Sequence, residues 1–169
     1  MIRRSPLEGV ALANGLRELP FLAQLDVRTD APRTSLPTEP NTVAGDATRA
    51  ALWLGPDEWL VVGPPGSEPD LEAEFSAAGA TAVDLSANRT TLEVRGSRAR
   101  ELLEFGCPID LHPSVFGPGR CAQTLLARAN VLIWFVSDEP EPLYRLLVRP
   151  SFAAYVAAWL ADAAEGLID

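Results

Sequence analysis

Apolar residues in this chain alternate with polar residues over short runs, which is the two-residue period of a half-buried strand. Ala23, Leu25 and Val27 show this alternation first. Similar or fully apolar runs follow, bounded by Gly, Pro, Asn or Asp, as strands usually are. The pattern predicts strands over 23–28, 51–54, 59–62, 82–85, 90–95, 123–127, 131–136 and 143–148.

Turn signals join some of these strands into hairpins. Gly55-Pro56-Asp57 separates 51–54 from 59–62, and Ala129-Asn130 separates the strands at 123–127 and 131–136. Short connections of this kind favour antiparallel neighbours.

Three segments have helical signals. Ser67 is a suitable cap before Pro and acidic residues, and Gly79 predicts a left-handed end to the helix near residue 78. A second helix is predicted between a turn and cap at 96–97 and a stop at Gly106. A third follows Ser151, where the apolar stripe consists of Phe152, Tyr155, Val156, Trp159 and Leu160.

The order of these elements indicates the fold class. A strand, a turn and a helix follow one another three times, over 58–78, 90–106 and 144–163. We therefore expect one α+β domain over 1–169, built from duplicated β-β-α units with helices packed on antiparallel or mixed sheets. The Pro-rich segment 29–48 is expected to be a surface loop or loose edge that a partner covers, and 109–120 to be an ordered loop.

Charge and composition narrow the possible partners. The net charge is −9, with 23 acidic residues against 14 basic ones, all arginine. A broad cationic surface for nucleic acid is therefore not expected. No apolar run has the roughly 18 residues of a membrane span, and the charged start lacks the apolar stretch of a signal peptide. These features predict a cytoplasmic protein without nucleic-acid or membrane partners.

Residues with reactive side chains are few. Cys107, His112 and Cys121 are the chain's two cysteines and single histidine, without the short Cys pairs of a zinc site. They are expected to be two buried thiols and a loop histidine hydrogen-bonded to backbone, and a convergent metal site is the alternative. Phosphate-binding glycine motifs are missing. We expect no catalytic, cofactor-binding or metal-binding residues in this chain.

Asp84 and the four tryptophans allow more than one interpretation. Asp84 ends an apolar run close to Arg89, so it is either a turn-setting carboxylate, half of a buried ion pair, or a catalytic group. The tryptophans are expected in the core or at an interface, and a flavin or pterin platform is the alternative. The turn that ends at Arg120 is a surface turn or an anion site.

Two long segments of the chain are distinctive, ALWLGPDEWLVV at 51–62 and VDLSANRTTLEVRG at 83–96. Both resemble the gamma subunit family of heterotetrameric sarcosine oxidase. Agreement continues over 106–113, 116–124 and 144–152, and weakly before residue 50. The resemblance therefore covers nearly the whole chain after Ala50.

The resemblance implies a complex of alpha, beta, gamma and delta subunits that oxidatively demethylates sarcosine to glycine and hydrogen peroxide, transferring the one-carbon unit to tetrahydrofolate. It implies FAD, FMN and NAD in the alpha and beta subunits and zinc in delta. The gamma fold is similar to part of the folate-binding region of aminomethyltransferases. Those enzymes are about twice as long, so no folate-site residue is transferred here and Asp84 is taken as structural.

The expected function is that of a non-catalytic accessory subunit in contact with the alpha subunit. Arg and Trp are frequent interface anchors, so the predicted interface residues are Trp59, Arg89, Arg120 and Arg149. The alternative from another class is a small stand-alone tetrahydrofolate-binding protein or aminomethyltransferase-like domain.

Overall fold

The computed structural model describes residues 4–30 and 35–167, which form ten strands and three helices. The strands are β1 (Leu16–Leu19), β2 (Ala23–Arg28), β3 (Val43–Gly45), β4 (Ala50–Gly55), β5 (Glu58–Gly63), β6 (Thr81–Asp84), β7 (Thr90–Arg95), β8 (Arg120–Leu126), β9 (Ala129–Ser137) and β10 (Leu143–Val148). The helices are α1 (Glu68–Ala77), α2 (Ala99–Glu104) and α3 (Pro150–Glu165). None of these helices is long and apolar enough to cross a membrane.

The strands form two five-stranded sheets in which every neighbouring pair is antiparallel. The first sheet has the order β1-β7-β10-β9-β8, and the second has the order β3-β4-β5-β2-β6. The chain enters the second sheet after β1 and returns to the first at β7. The fold is therefore α+β with antiparallel sheets, as the sequence predicted.

Three apolar clusters hold these layers together. One lies between the first sheet and helices α2 and α3, and one lies between the second sheet and α1. The third lies between the two sheets and contains Leu60, Leu132 and Leu147. Each central strand therefore has both faces covered, which explains why β10 is buried at every position.

The β-β-α order is confirmed, with one difference in how its strands pair. β4 and β5 form the predicted hairpin before α1. β6 and β7 do not pair with each other, since β6 joins β2 in the second sheet and β7 lies in the first. The β4–β5 and β6–β7 units have the same local sequence pattern. Only long-range pairing decides that the first forms a hairpin and the second does not.

The sequence pattern did not predict two short strands, β1 and β3. β1 lies at the edge of the first sheet, where its Leu16 opposes Val94 of β7. β3 lies within the segment 29–48 and pairs with β4 as an edge strand, so the segment is a loose edge over these three residues. Residues 31–34 of that segment lie outside the described residues.

The helices end close to the predicted positions, but the capping residues and their hydrogen bonds differ in part from the prediction. Ser67 stands at the N-cap of α1, yet its hydroxyl donates to the Pro64 carbonyl 2.7 Å away and does not cap the helix. Arg98, not Ser97, is the N-cap of α2. Gly79 has the positive φ of a left-handed stop, 78°.

The buried face of α3 is rotated from the predicted stripe. Phe152 and Tyr155 are each 39% exposed, whereas Ala153 and Ala157 are buried against the first sheet. The positions that are buried are Ala153, Val156, Ala157 and Leu160. Two of these four buried residues are alanines, which a stripe of large apolar residues does not reveal. The β8–β9 turn is also displaced, to Ala127-Arg128, where Ala127 has a φ of 51°.

Candidate functional site

Two arginines meet at one edge of the first sheet. Arg89 directly precedes β7, and Arg149 directly follows β10. These strands are antiparallel neighbours with Thr90 opposite Val148, so the preceding and following residues are placed side by side. They line an open cleft of about 680 Å³ together with Pro108, Gln123, Thr124, Leu125, Asn130, Val131, Leu132, Leu147 and Phe152. We call this site the arginine cleft.

The positive charge of the arginine cleft is not balanced by an acidic residue in its lining. Nη1 of Arg89 is buried and has no hydrogen-bond partner in the described part of the chain. Burial lowers the pKa of Arg89, and the charge of Arg149 acts in the same direction, against weaker opposite effects of Asp26 and Glu58. Neither arginine of the cleft forms an ion pair within 4 Å among the described residues. A bound oxyanion would relieve both the repulsion and the missing hydrogen bond.

The walls of the arginine cleft combine hydrogen-bonding and apolar groups. Gln123, Thr124 and Asn130 line it from β8 and β9, and Nε2 of Gln123 donates to the Leu54 carbonyl 3.2 Å away. Leu125 and Phe152 are 41% and 39% exposed at its rim. An arginine pair inside an apolar rim has the composition of a protein interface centre. The sequence contains no local signal for these wall residues, because only strand pairing places them beside the arginines.

The other two predicted interface residues have partners within the chain. Trp59 is only 1% exposed, and its Nε1 donates to the Pro37 carbonyl 2.8 Å away. Its ring is therefore in the core, and any effect on an interface would pass through the loop at Pro37. Arg120 pairs with Glu39 at 3.0 Å on the surface.

The two cysteines and the histidine do not converge. Cys107 belongs to the cluster under α2 and α3, whereas Cys121 belongs to the cluster between the sheets. His112 is exposed, with its Nδ1 2.7 Å from the Ser114 hydroxyl and 3.3 Å from the Ser114 backbone nitrogen. The expectation of buried thiols and a loop histidine bonded to backbone is confirmed. Among the described residues, no group of three or more His, Cys, Asp and Glu is arranged to hold a metal ion.

Asp84 sets a turn at the end of β6. Its Oδ1 accepts hydrogen bonds from the Ser86 backbone nitrogen at 2.9 Å and the Ser86 hydroxyl at 2.5 Å. The same hydroxyl accepts a hydrogen bond from the Gln24 backbone at 3.0 Å, which ties the turn to β2. Asp84 is exposed and is not ion-paired with Arg89, so the turn-setting interpretation is confirmed over the buried pair.

The tryptophans pack in the interior and do not line the arginine cleft. Trp59 and Trp134 are 1% and 2% exposed, and Trp53 and Trp159 are partly buried against the apolar clusters. Arg145 lies over the Trp134 ring, 5.1 Å from its centroid. Core packing, the expected role, is confirmed for these rings.

The burial of Cys121 predicts a pH dependence of stability. Burial raises the pKa of this thiol from 9.0 to about 12, so the folded state favours the protonated form. The thiol's contribution is full below pH 9 and is lost as the pH rises toward 12. As the pH rises over this interval, we expect the free energy of unfolding of the wild type to fall relative to that of Cys121→Ala. Urea unfolding at several pH values measures it, and a difference independent of pH would contradict the expectation.

The comparisons with known proteins agree with one another. The sarcosine oxidase, gamma subunit family model matches residues 28–166. The sarcosine oxidase subunit gamma of Corynebacterium sp. (strain P-1) is 38% identical over 187 aligned positions, covering 96% of this chain and 90% of the relative. The subunit of the same name from Arthrobacter sp. is also 38% identical, over 185 positions with the same coverage.

Solved structures give the same result at the level of the fold. A chain of the heterotetrameric sarcosine oxidase from Corynebacterium sp. U-96, in complex with pyrrole 2-carboxylate, matches with a TM-score of 0.84 at 34% identity, covering 97% of this chain and 95% of that chain. The glycine cleavage system aminomethyltransferase T from Bartonella henselae matches with a TM-score of 0.59 at 12% identity. That match covers 86% of this chain but 45% of the aminomethyltransferase, so it shows a shared fold over part of the larger protein.

The family match extends from β2 through α3 and includes both arginines of the cleft. Together with relatives 38% identical over nearly the whole chain, it shows that the chain belongs to the sarcosine oxidase gamma subunit family.

Proposed function

We propose that this chain is the gamma subunit of a heterotetrameric sarcosine oxidase and acts there as a non-catalytic accessory subunit in contact with the alpha subunit. The observation that supports this most strongly is the match, at 34% identity and a TM-score of 0.84, to a chain of such an oxidase. The complex would oxidatively demethylate sarcosine to glycine and transfer the one-carbon unit to tetrahydrofolate. FAD, FMN, NAD, tetrahydrofolate and zinc would be held by the alpha, beta and delta subunits.

Surface composition supports a role in assembly. The guanidinium groups of the arginine cleft form no ion pair with any residue that the structure describes, and they lie beside exposed Leu125 and Phe152. Such a surface is typical of a site that another protein covers. We therefore retain Arg89 and Arg149 as proposed interface residues. Arg120 is proposed as a peripheral contact, since its ion pair with Glu39 is on the surface. Trp59 would contribute indirectly, by fixing the loop at Pro37.

Removal of this chain from the complex tests the accessory role. The alpha, beta and delta subunits are expressed together, with and without the chain. We expect a four-subunit complex when it is present, and a lower melting temperature and less sarcosine-dependent hydrogen peroxide when it is absent. A three-subunit preparation with the full activity and stability of the complete complex would contradict the proposal.

Two variants separate assembly from chemistry. His112→Ala and Asp84→Asn each remove a titratable group from this chain without touching the arginine cleft. We expect complexes containing either variant to retain wild-type turnover once assembly is confirmed by size-exclusion chromatography. A loss of turnover in a fully assembled complex would argue for a catalytic role.

The alternative, a stand-alone tetrahydrofolate-binding protein, predicts a different result for the isolated chain. Calorimetric titration with a reduced folate would give saturable heat under that alternative and none under the accessory role. The likeness to aminomethyltransferase T motivates this comparison, but at 12% identity it extends to the fold alone.

A further inference from the structure

We propose that the arginine cleft is the receptor for a carboxylate side chain, Asp or Glu, of the subunit that packs against this chain. This inference rests on the proposed function, since it requires another subunit, and it specifies the chemistry by which that subunit is recognised. Arg89 and Arg149 would bind the carboxylate between the residues that line the cleft.

The distribution of charge in the chain makes an anion the appropriate occupant. The chain has 23 acidic residues and 14 arginines, yet no acidic residue of the described ranges 4–30 and 35–167 lines the arginine cleft. The nearby carboxylates of Asp26 and Glu58 affect Arg89 only through space, and both are engaged elsewhere by Arg28. Two like charges placed side by side repel each other, and the attraction from Asp26 and Glu58 is the weaker effect on Arg89, so the position of the arginines is explained if an anion binds there.

The exposure of the groups identifies where a carboxylate would bind. Arg89 is half-buried with an unsatisfied Nη1, whereas Arg149 is exposed at the start of α3. A planar guanidinium matches a carboxylate with two parallel hydrogen bonds. Arg89 would thus bind the carboxylate at the bottom of the cleft, and Arg149 would close over it from the rim.

The rim favours a protein side chain over a free organic acid. Leu125 and Phe152 are 41% and 39% exposed and both line the cleft, so they give the charged centre an apolar border. A small-molecule site encloses most of its ligand, whereas this cleft is open on the surface. An approaching subunit would bury the apolar border, exclude water and strengthen the ion pair within it.

Arginine substitutions in the assembled system test this inference. The purified chain is bound to the co-purified alpha, beta and delta subunits, and the dissociation constant is measured by biolayer interferometry. Loss of one partner of a desolvated charge pair weakens binding by about 30-fold or more, which we expect for Arg89→Gln and for the double variant with Arg149→Gln. Arg149→Gln alone changes an exposed residue, so we expect it to weaken binding without a change in the melting temperature of the isolated chain.

Arg95→Gln is the matched control. Arg95 is exposed, has no ion pair within 4 Å among the described residues, and lies at the opposite end of β7 from Arg89. Arg95→Gln removes the same charge as the cleft variants but outside the cleft, so the dissociation constant should change less than twofold. Calorimetry of the isolated chain with sodium acetate forms a second arm, in which no saturable binding is expected.

The outcomes distinguish the two proposals. Wild-type affinity in Arg149→Gln and in the double variant, or equal losses in Arg95→Gln, would overturn the carboxylate receptor while leaving the subunit role intact. Acetate binding that is lost in the double variant without a change in subunit affinity would overturn a side chain as the occupant. Failure of the wild-type chain to bind the other subunits would overturn the proposed function, and the receptor with it.

Discussion

Replacement of Arg145 with methionine is expected to lower the free energy of unfolding by about 3–5 kcal/mol, the largest effect of a single polar substitution that we predict for this chain. Arg145 is 8% exposed and Glu93 is 9% exposed. Nε and Nη2 of Arg145 both donate to Glu93 Oε1, at 3.1 and 3.0 Å. Without the arginine, Glu93 remains buried beside only the exposed Arg17, 3.5 Å away.

Arg145 also connects the two sheets. Its Nη1 donates to the Ala47 carbonyl, 2.6 Å away in the connection between β3 and β4. Its guanidinium covers the Trp134 ring between the sheets. Methionine would preserve much of the apolar contact but neither the charge nor the donors, so the loss comes mainly from the stranded carboxylate and carbonyl.

The exposed ion pair between Arg49 and Glu74 provides the control for this prediction. Its atoms approach to 2.6 Å, but the side chains are 46% and 48% exposed, so Arg49→Met should cost only about 0–1 kcal/mol. Urea unfolding followed by circular dichroism measures both variants. The double variant Glu93→Gln, Arg145→Met should recover part of the loss. Equal losses in free energy of unfolding for Arg145→Met and Arg49→Met would contradict the prediction that burial makes the Arg145–Glu93 pair more important for stability.

Replacement of Leu60 with alanine should lower the free energy of unfolding by about 2–5 kcal/mol. Leu60 is fully buried, and it packs in the cluster between the sheets with Leu52, Leu132 and Leu147. Both faces of this cluster are backed by hydrogen-bonded strands, which limits collapse around the missing atoms. The cost should therefore include a cavity as well as the lost transfer free energy.

Leu125→Ala makes the same chemical change on the surface and is the matched control. Leu125 is 41% exposed, so its truncation should alter the free energy of unfolding by about 0.5 kcal/mol or less. Thermal and urea unfolding of the isolated chain give both values. A cost for Leu60→Ala no larger than that for Leu125→Ala would mean that the sheets do not pack as described.

Local patterns predicted the elements that have a clear alternation of buried and exposed side chains or a clear turn sequence. The alternation in 23–28 and the turn at Gly55-Pro56-Asp57 identified β2 and the β4–β5 hairpin, because side-chain period and turn geometry are local properties. β1 and β3 were missed since four and three residues are too few to show a period. Their strand conformation depends on pairing with β7 and β4.

Gly106 shows how a correct position can have a different cause. The sequence predicted it as a helix stop, and α2 ends at Glu104, but Gly106 is not among the described glycines with positive φ. A Cβ at this position would lie 2.5 Å from Cη2 of Trp159 on α3. The glycine is thus required by the packing of a ring that is 53 positions away in the chain, which no local pattern contains.

The sequence by itself determined the α+β class, most strands, the helices and, through long matching segments, the family. Tertiary structure decided which sheet each strand joins, which face of α3 is buried and which arginines are paired. Arg145 lies within a strand and Arg89 directly precedes one, yet Arg145 meets Glu93 and Arg89 meets Arg149. Strand register sets these encounters over tens of residues, and the arginine cleft exists because antiparallel pairing brings the start of β7 to the end of β10.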